Sequence, residues 1–397
     1  MNRPIQPLRR GAGRTVLCAV WLVVILWMTP NLARAQSPET VAPGGEQPKP
    51  EGAPPPRTNP FGSFVRGITV FGTGDAYLMA NANRPPGGDN LLRNFDTRSG
   101  EVRMNYVEMA FERKTSDRVA LGFRADLGAG PTAKLVGAPE PGPSGLKYVQ
   151  QAYLSVRAPI GSGLTVDAGK FVTPAGAEVI ETQDNWNYSR SLLFAWAIPY
   201  YHAGVRASYA FNDQITATGF VLNGWNNVKD NNASKSVAAQ VVVAPTDRVS
   251  IAATWMGGAE QTAVDGWRHM VDAIVTVTLT PRVKLQLNAD LVRDRGRGPG
   301  VGWHGVAAAL RTQVTPAWTV SPRVEWFADP QGASTGVAQE VMEGTVTVQR
   351  TIAAGLTARA EYRVDRSTTT FFPNGDGVAR RWQQTVCVGV FYGWTSR

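Results

Sequence analysis

Residues 117–128 read DRVALGFRADLG, and their alternation decides the fold. Val119, Leu121, Phe123, Ala125 and Leu127 share one face of an extended chain, while Arg118, Ala120, Gly122, Arg124 and Asp126 share the other. A period of two marks a β-strand, because successive side chains point to opposite faces. The pattern returns at 282–291 (RVKLQLNADL), where Val283, Leu285, Leu287, Ala289 and Leu291 stand opposite Lys284, Gln286, Asn288 and Asp290. It returns again at 355–365, with Leu356, Ala358, Ala360, Tyr362 and Val364 against Arg359, Glu361 and Arg363. The apolar faces hold no charge, and the opposite faces mix both signs.

Working outward, strands are expected near 66–82, 101–113, 117–128, 147–158, 163–171, 203–212, 214–225 and 235–244. Eight more follow near 247–257, 268–279, 282–292, 302–314, 317–328, 341–350, 355–365 and 381–394. Their connections are short and long in strict turn. The short ones are KTSD (114–117), IGSG (160–163), ND (212–213), APTD (244–247), TPR (280–282), TP (315–316) and TIAAG (351–355). The long ones cover about 83–100, 129–146, 172–202, 226–234, 258–267, 293–301, 329–340 and 366–380. A soluble sandwich also alternates, but interleaved tight turns and long loops are the plan of an outer-membrane barrel. Beyond residue 60 no apolar run is long enough for a spanning helix, so a membrane protein here must close a barrel. The expected fold is therefore all-β: a transmembrane antiparallel barrel of about 16 strands over 61–397. An even strand number puts both mature termini in the periplasm of a Gram-negative cell. Pro322 falls inside the thirteenth strand and predicts a bulge or a lost hydrogen bond there.

Composition agrees. Only 18% of residues are charged, against about 25% in soluble domains. The formal charge of +9 resembles that of a nucleic-acid binder, yet the first 35 residues hold Arg3, Arg9, Arg10, Arg14 and Arg34 and no acid. The remainder carries 35 basic against 31 acidic residues and no basic run to track phosphates, which sets nucleic acid aside. The arginines precede an apolar stretch, Val16 to Met28, then Thr29-Pro30 and the small-x-small site Ala33-Arg34-Ala35, the order of a cleaved signal peptide over 1–35. Residues 36–60 are dominated by proline, glycine and charge, and read as a disordered periplasmic arm. Cys18 leaves with the signal, so Cys387 has no partner for an internal disulfide.

The last strand, TVCVGVFYGW (385–394), places Val386, Val388, Val390, Tyr392 and Trp394 toward lipid. It resembles the terminal signature by which the barrel-assembly machinery recognises its substrates, although three residues follow Trp394 where a terminal phenylalanine is usual. Trp225, Trp255, Trp267, Trp303, Trp318, Trp326 and Tyr392 gather near strand ends and predict aromatic girdles at the headgroup levels.

The third and longest external loop, 172–202, is rich in aromatic residues, which argues against disorder. Its flanks GKFVTPAGAEVIE (169–181), NYSRSLLF (187–194) and PYYHAGVRASY (199–209) resemble the OmpL-like β-barrel porins. That resemblance is close over these segments and general elsewhere; it implies a porin-type barrel and no particular solute. In many general porins the third loop folds inward and narrows the pore, and the same is expected here. Glu178, Asp184 and Arg190 then set opposite charges at the constriction. Arg103, Glu108, Arg124, Asp126, Arg157, Asp167, Arg206, Lys284, Asp290, Arg323, Glu325, Arg359 and Glu361 are expected along the wall, with Asp272, Arg311 and Arg363 among them. A charged ring in a narrow throat filters ions, and this mixture predicts weak selectivity, slightly anionic.

The expected function is passive diffusion of small hydrophilic solutes or ions, with outer-membrane lipid around the barrel. Porins of this size often form homotrimers, and nothing in the sequence marks such an interface. No cofactor, metal or catalytic signature is present: there is no G-x-S-x-G, no H-E-x-x-H, and His202, His269 and His304 fall on separate elements. GRGPGVG (296–302) sits in a loop without the strand-to-helix setting a dinucleotide needs. Two rivals remain. One is a barrel enzyme of lipase or protease type; a lipid-hydrolysing barrel needs a Ser-His pair on its outer face, and Ser236 and Ser250 read inward while His269 reads outward. A structural or adhesive barrel plugged by its own loop conducts nothing.

Overall fold

The computed structural model describes residues 67–140, 145–261, 266–298 and 300–396. The expected signal peptide and proline-rich arm lie outside them. The described strands begin with β1 (Thr69–Asn81), β2 (Val102–Arg113), β3 (Leu121–Ala129), β4 (Val149–Ala158), β5 (Leu164–Val172), β6 (Tyr201–Ala210), β7 (Ile215–Leu222) and β8 (Ser236–Thr246). They continue with β9 (Val249–Ala259), β10 (Trp267–Thr280), β11 (Val283–Asp294), β12 (Gly302–Gln313), β13 (Trp318–Asp329), β14 (Gln339–Ala353), β15 (Leu356–Ser367) and β16 (Trp382–Thr395). Each strand pairs antiparallel with its sequence neighbours, and β16 returns to β1 in register from Phe71↔Thr395 to Asn81↔Thr385. The sheet has no edge, which a barrel in hydrocarbon requires.

Leu121 and Leu127 on β3, Leu287 and Leu291 on β11, and Val386 and Val390 on β16 stand exposed on the outer face. Exposed aliphatic side chains in bands around a closed sheet are a cost in water and a gain in lipid. At 117–120 the expected strand gives way to a turn: Ser116 and Val119 exchange backbone hydrogen bonds of 2.9 and 3.0 Å, so β3 starts at Leu121. The second long loop contains a short helix, α1 (Pro131–Val136), that the alternation did not foretell.

Pro322 costs ladder bonds and makes no bulge. Pairing with β12 skips from Ala309↔Arg323 to Thr312↔Val320 without a change of register, while pairing with β14 continues through Pro322↔Val346. Of the expected girdle residues, Trp255, Trp267, Trp318, Trp326 and Tyr392 lie on the outer face, but Trp225 and Trp303 do not. These two pack edge-on at 6.3 Å inside the mouth, with Arg268 at 4.9 and 5.5 Å from their rings, and Trp303 Nε1 donates to Ala197 O at 3.1 Å. Inner-face parity on β12 sends Trp303 inward, and Trp225, in the loop after β7, packs onto it and onto Arg268.

The buried apolar core lies inside the barrel at the long-loop end. Leu192, Leu193, Phe194, Ala197 and Ile198 of the third loop meet Phe220, Met256, Met270, Val292, Trp303, Phe327 and Val341 of the wall and Leu92 and Phe95 of the first loop.

Replacing Leu287 by arginine, at the middle of the outer face of β11, is expected to cost roughly 2–4 kcal/mol in vesicle-embedded unfolding. Arginine at the neighbouring inward position, Gln286→Arg, is expected to cost far less. Urea titration of both variants in phospholipid vesicles checks the assignment of faces.

Candidate functional site

The third loop, L3, runs from 173 to 200 between β5 and β6 and packs within the barrel rather than above it. Two side chains give it shape. Arg190 donates from Nε to Val179 O (2.9 Å), from Nη1 to Tyr188 O (2.7 Å), and from Nη2 to Thr182 Oγ1 (3.1 Å) and Ile180 O. Asn185 accepts from Val179 N (2.9 Å) and donates to Val179 O (2.8 Å) and Glu181 O (3.0 Å). A loop without ladder partners has to satisfy its own carbonyls, and these two residues do so.

The remaining backbone groups bond to the wall. Tyr188 N and Ser189 N donate to the Glu361 carboxylate at 2.6 and 3.0 Å, and Leu192 N donates to Glu325 at 2.8 Å. Carbonyls meet arginines. Arg359 donates to Thr182 O (2.8 Å), Asn187 O (2.9 Å) and Asn185 O, and Arg363 donates to Arg190 O at 2.6 Å. Arg323 donates to Ser189 O at 2.8 Å and pairs with Glu178 at 2.7 Å. Glu343 and Asp365 lie among these cations, 3.4 Å from Arg323 and 2.7 Å from Arg363 respectively. Burying an ion costs less when its remaining sites are hydrogen-bonded, and here both signs are. Asn187 reaches the Ser321 carbonyl at 2.9 Å, beside the ladder gap left by Pro322.

Tyr188 seats its ring on the closing strand, 5.7 Å from the Tyr77 ring and against Gly389 and Cys387. A Cβ at residue 389 would collide with that ring, so only glycine fits. His202 is likewise structural, fully buried between Gly224 O (3.0 Å) and Thr173 Oγ1 (3.3 Å).

The three residues expected at the constriction differ in fate. Arg190 is 3% exposed and wholly used inside L3, so it offers no charge to a passing solute; this corrects the sequence reading. Glu178 gives one oxygen to Arg323 and the other to Ser191 N at 2.6 Å. Asp184 stands exposed toward a cavity of about 90 Å³ between L3 and the β11–β13 wall.

All the expected wall residues lie on inner-face positions of the register, but the acids and the bases differ. Glu108, Asp126, Asp167, Asp290, Glu325 and Glu361 are buried, none above 7% exposed. Asp272, cross-strand partner of Asp290, is buried too, as are Arg323, Arg359 and Arg363, which are fixed to L3. Arg103, Arg124, Arg157 and Arg206 keep 21–28% of their side chains exposed, and Lys284 and Arg311 are open. Glu181, on L3, has its carboxyl raised above the usual range by burial, with the charges of Asp126 and Asp184 adding to the effect.

Glu343, Asp365, Thr182, Asn185 and Asn187 were not foreseen. Glu343 and Asp365 share the inward parity of Arg323 and Arg363, and that parity was the available signal.

A family model described as "Putative beta-barrel porin-2, OmpL-like" matches residues 67–392. The chain belongs to that family. It is an outer-membrane porin-type barrel. The GKFVTPAGAEVIE and NYSRSLLF segments that carried the resemblance supply most of the L3 staples. No curated protein matches the chain. Among solved structures, it is similar to OmpT of Vibrio cholerae in its L8-deleted form (TM-score 0.56, 10% identity, 82% of this chain and 99% of that one). It is similar also to an anion-selective porin from Comamonas acidovorans (0.55, 10%, 82% and 99%) and to the channel DcaP of Acinetobacter baumannii (0.52, 11%, 82% and 96%). At these identities the likeness is one of fold.

Glu361→Ala is expected to free the 188–190 segment, since each charge-assisted bond lost is worth roughly 1.5–3 kcal/mol. Limited trypsin digestion of the folded barrel checks this: cleavage after Arg190 in the variant and none in the wild type.

Proposed function

We propose that this porin is a diffusion channel with a weak preference for small anions. The observation that carries the reading is the unequal exposure of inner-wall charge. The acids are buried, Asp126, Asp167 and Glu325 beside cations and Asp272 and Asp290 against each other, whereas six of the nine bases named above still reach water. Lys284 and Arg311 are cross-strand neighbours on the inner face, both exposed, with no acidic partner among the described residues. Like charges facing each other destabilise a sheet, and an open aqueous lumen with anions at hand relieves them. A fixed positive charge on a low-dielectric wall raises the local anion concentration.

On this reading solutes enter between the long loops, pass beside L3 and leave at the short-turn end, where both mature termini lie in the periplasm after signal removal. The fold likeness to a porin described as anion-selective agrees with the sign. A related OmpT structure is described as a trimer, and a homotrimer is the assembly proposed here. The reading includes no catalysis. His269 lies on the outer face between Trp255 and Trp267, Ser236 bonds to Glu260 at 2.6 Å, and Ser250 faces inward, so among the described residues no serine is hydrogen-bonded to a histidine. A stoppered barrel is the second reading, favoured by the apolar cluster that the first loop and L3 build at the mouth.

Planar-bilayer recording separates the two: conductance steps are expected, and their complete absence selects the stopper. In a salt gradient the reversal potential is expected to favour chloride over potassium. Lys284→Glu with Arg311→Glu should lower that preference several-fold without loss of fold, since neither side chain holds another.

Acidification tests Glu181. Its folded pKa is raised, so it loses its negative charge at a higher pH than a free carboxylate. On acidification chloride preference should therefore begin to climb at a higher pH than an ordinary carboxylate would give, and Glu181→Gln should flatten that rise. Reversal potentials across a pH series give the answer.

A further inference from the structure

The larger lumenal cavity, about 240 Å³, lies between L3 and the wall of β3–β6. We propose that it binds a small carboxylate carrying a compact apolar body. The inference rests on the channel reading only for how the solute arrives.

Its floor holds two arginines, each with one edge spent. Arg206 Nε donates to Asp167 at 2.7 Å, and Ser155 Oγ fixes the other Asp167 oxygen at 2.6 Å. Arg124 Nε donates to Asp126 at 3.0 and 2.9 Å, and Gln151 holds that carboxylate from behind. The Nη atoms of Arg206 have no acceptor among the described residues, and Arg124 adds only Glu112 at 3.6 Å. The Arg206 plane is set as well: its guanidinium lies 4.6 Å from the Phe171 ring and 5.0 Å from Tyr153. Gly169, with φ +141°, pairs with Gly204; a Cβ on either would meet the backbone of the next strand, at Ala152 O and Val221 O respectively, so glycine lets the strands behind the site lie this close. A buried acid behind, stacking at the sides and a free outer fork make a pre-oriented site for a planar, bidentate oxyanion.

The opposite wall is apolar. Val179, 40% exposed inside the barrel, faces the cavity with Ile180, Phe194 and Tyr200. Glu178 is engaged by Arg323 and Ser191, which leaves Glu181 as the L3 acid in the cavity. Each arginine brings its own counter-acid, so net charge contributes little. Recognition comes from the shape of the fork and from the apolar wall. Affinity is therefore roughly millimolar, as suits a solute that has to leave again.

Fluorine NMR of the full barrel in detergent tests this with three probes. 4-Fluorobenzoate has charge and body, 4-fluorobenzyl alcohol the body alone, and trifluoroacetate the charge alone. The benzoate is expected to bind at least tenfold more tightly than either comparator. Arg206→Lys, which keeps the charge and loses the fork, should weaken it at least tenfold. Val179→Glu, a change at an exposed loop position, should do the same, and Lys235→Ala, at an exposed loop position away from the cavity, should leave it unchanged. Equal binding of the three probes overturns the proposal, as does wild-type affinity in both Arg206→Lys and Val179→Glu. Conductance of the same preparation is a separate readout. Binding without conductance removes the channel reading and keeps the cavity; conductance without benzoate binding does the reverse.

Discussion

The backbone amides of residues 188–193 have no strand to pair with, and they lie inside a closed wall. A buried N–H without an acceptor costs about 1–3 kcal/mol, so the loop can lie only where acceptors project inward. Glu361 and Glu325 supply them from β15 and β13, while Arg363 and Arg323 meet carbonyls of the same segment and Arg359 meets those of Thr182, Asn185 and Asn187 just before it. The position of L3 across the lumen follows from this matching of donors and acceptors. So does the position of what remains open: the wall of β3–β6 keeps its space, because L3 is held toward β13–β16.

One constraint thus sorts identical residue types into different roles. Arg359 and Arg206 both face inward on strands of similar pattern. The first meets three loop carbonyls and is 2% exposed; the second meets one aspartate and a pair of aromatic rings and keeps an open edge. The buried acids are what allow the arginines to stay charged within the barrel, and the arginines allow the acids to accept from the loop. Removing any one member leaves its neighbours with unpaired charge, which costs more than the contact was worth.

The strands were readable because a barrel wall makes every second residue answer to lipid. Leu285, Leu287 and Leu291 against Lys284, Gln286 and Asp290 can be placed without knowing any other strand. Signals that depended on one turn or one strand end were weaker: Val119 alternates correctly and still sits in a turn, because Ser116 offers it a local partner. Trp303 carries the composition of a girdle residue, yet its parity points it at Ala197. L3 was readable as a loop with work to do from its length and aromatic content. The roles of Glu178, Asp184 and Arg190 were not, since charge alone does not say whether a side chain meets a solute or a carbonyl of its own loop. That depends on how residues 179–190 turn back on themselves, and no periodicity encodes it.

The same geometry ties the loop to closure of the barrel. Thr182 Oγ1 and Tyr188 Oη donate to Asp75 of β1, the latter at 3.3 Å, while the Tyr188 ring lies on Gly389 of β16. β1 and β16 are the two strands joined from opposite ends of the chain, and L3 spans their seam from within. Separating them would break the ladder and would also leave Asp75 buried without its hydroxyl donors and the 188–189 amides facing a displaced Glu361. Gly389 therefore serves two purposes. It belongs to a terminal strand whose alternate residues, Val388 and Val390, meet lipid, and its missing side chain makes the hollow into which the loop fits. A substitution there would disturb pore and seam together, because in this barrel the segment that narrows the lumen is also an internal brace across the joint.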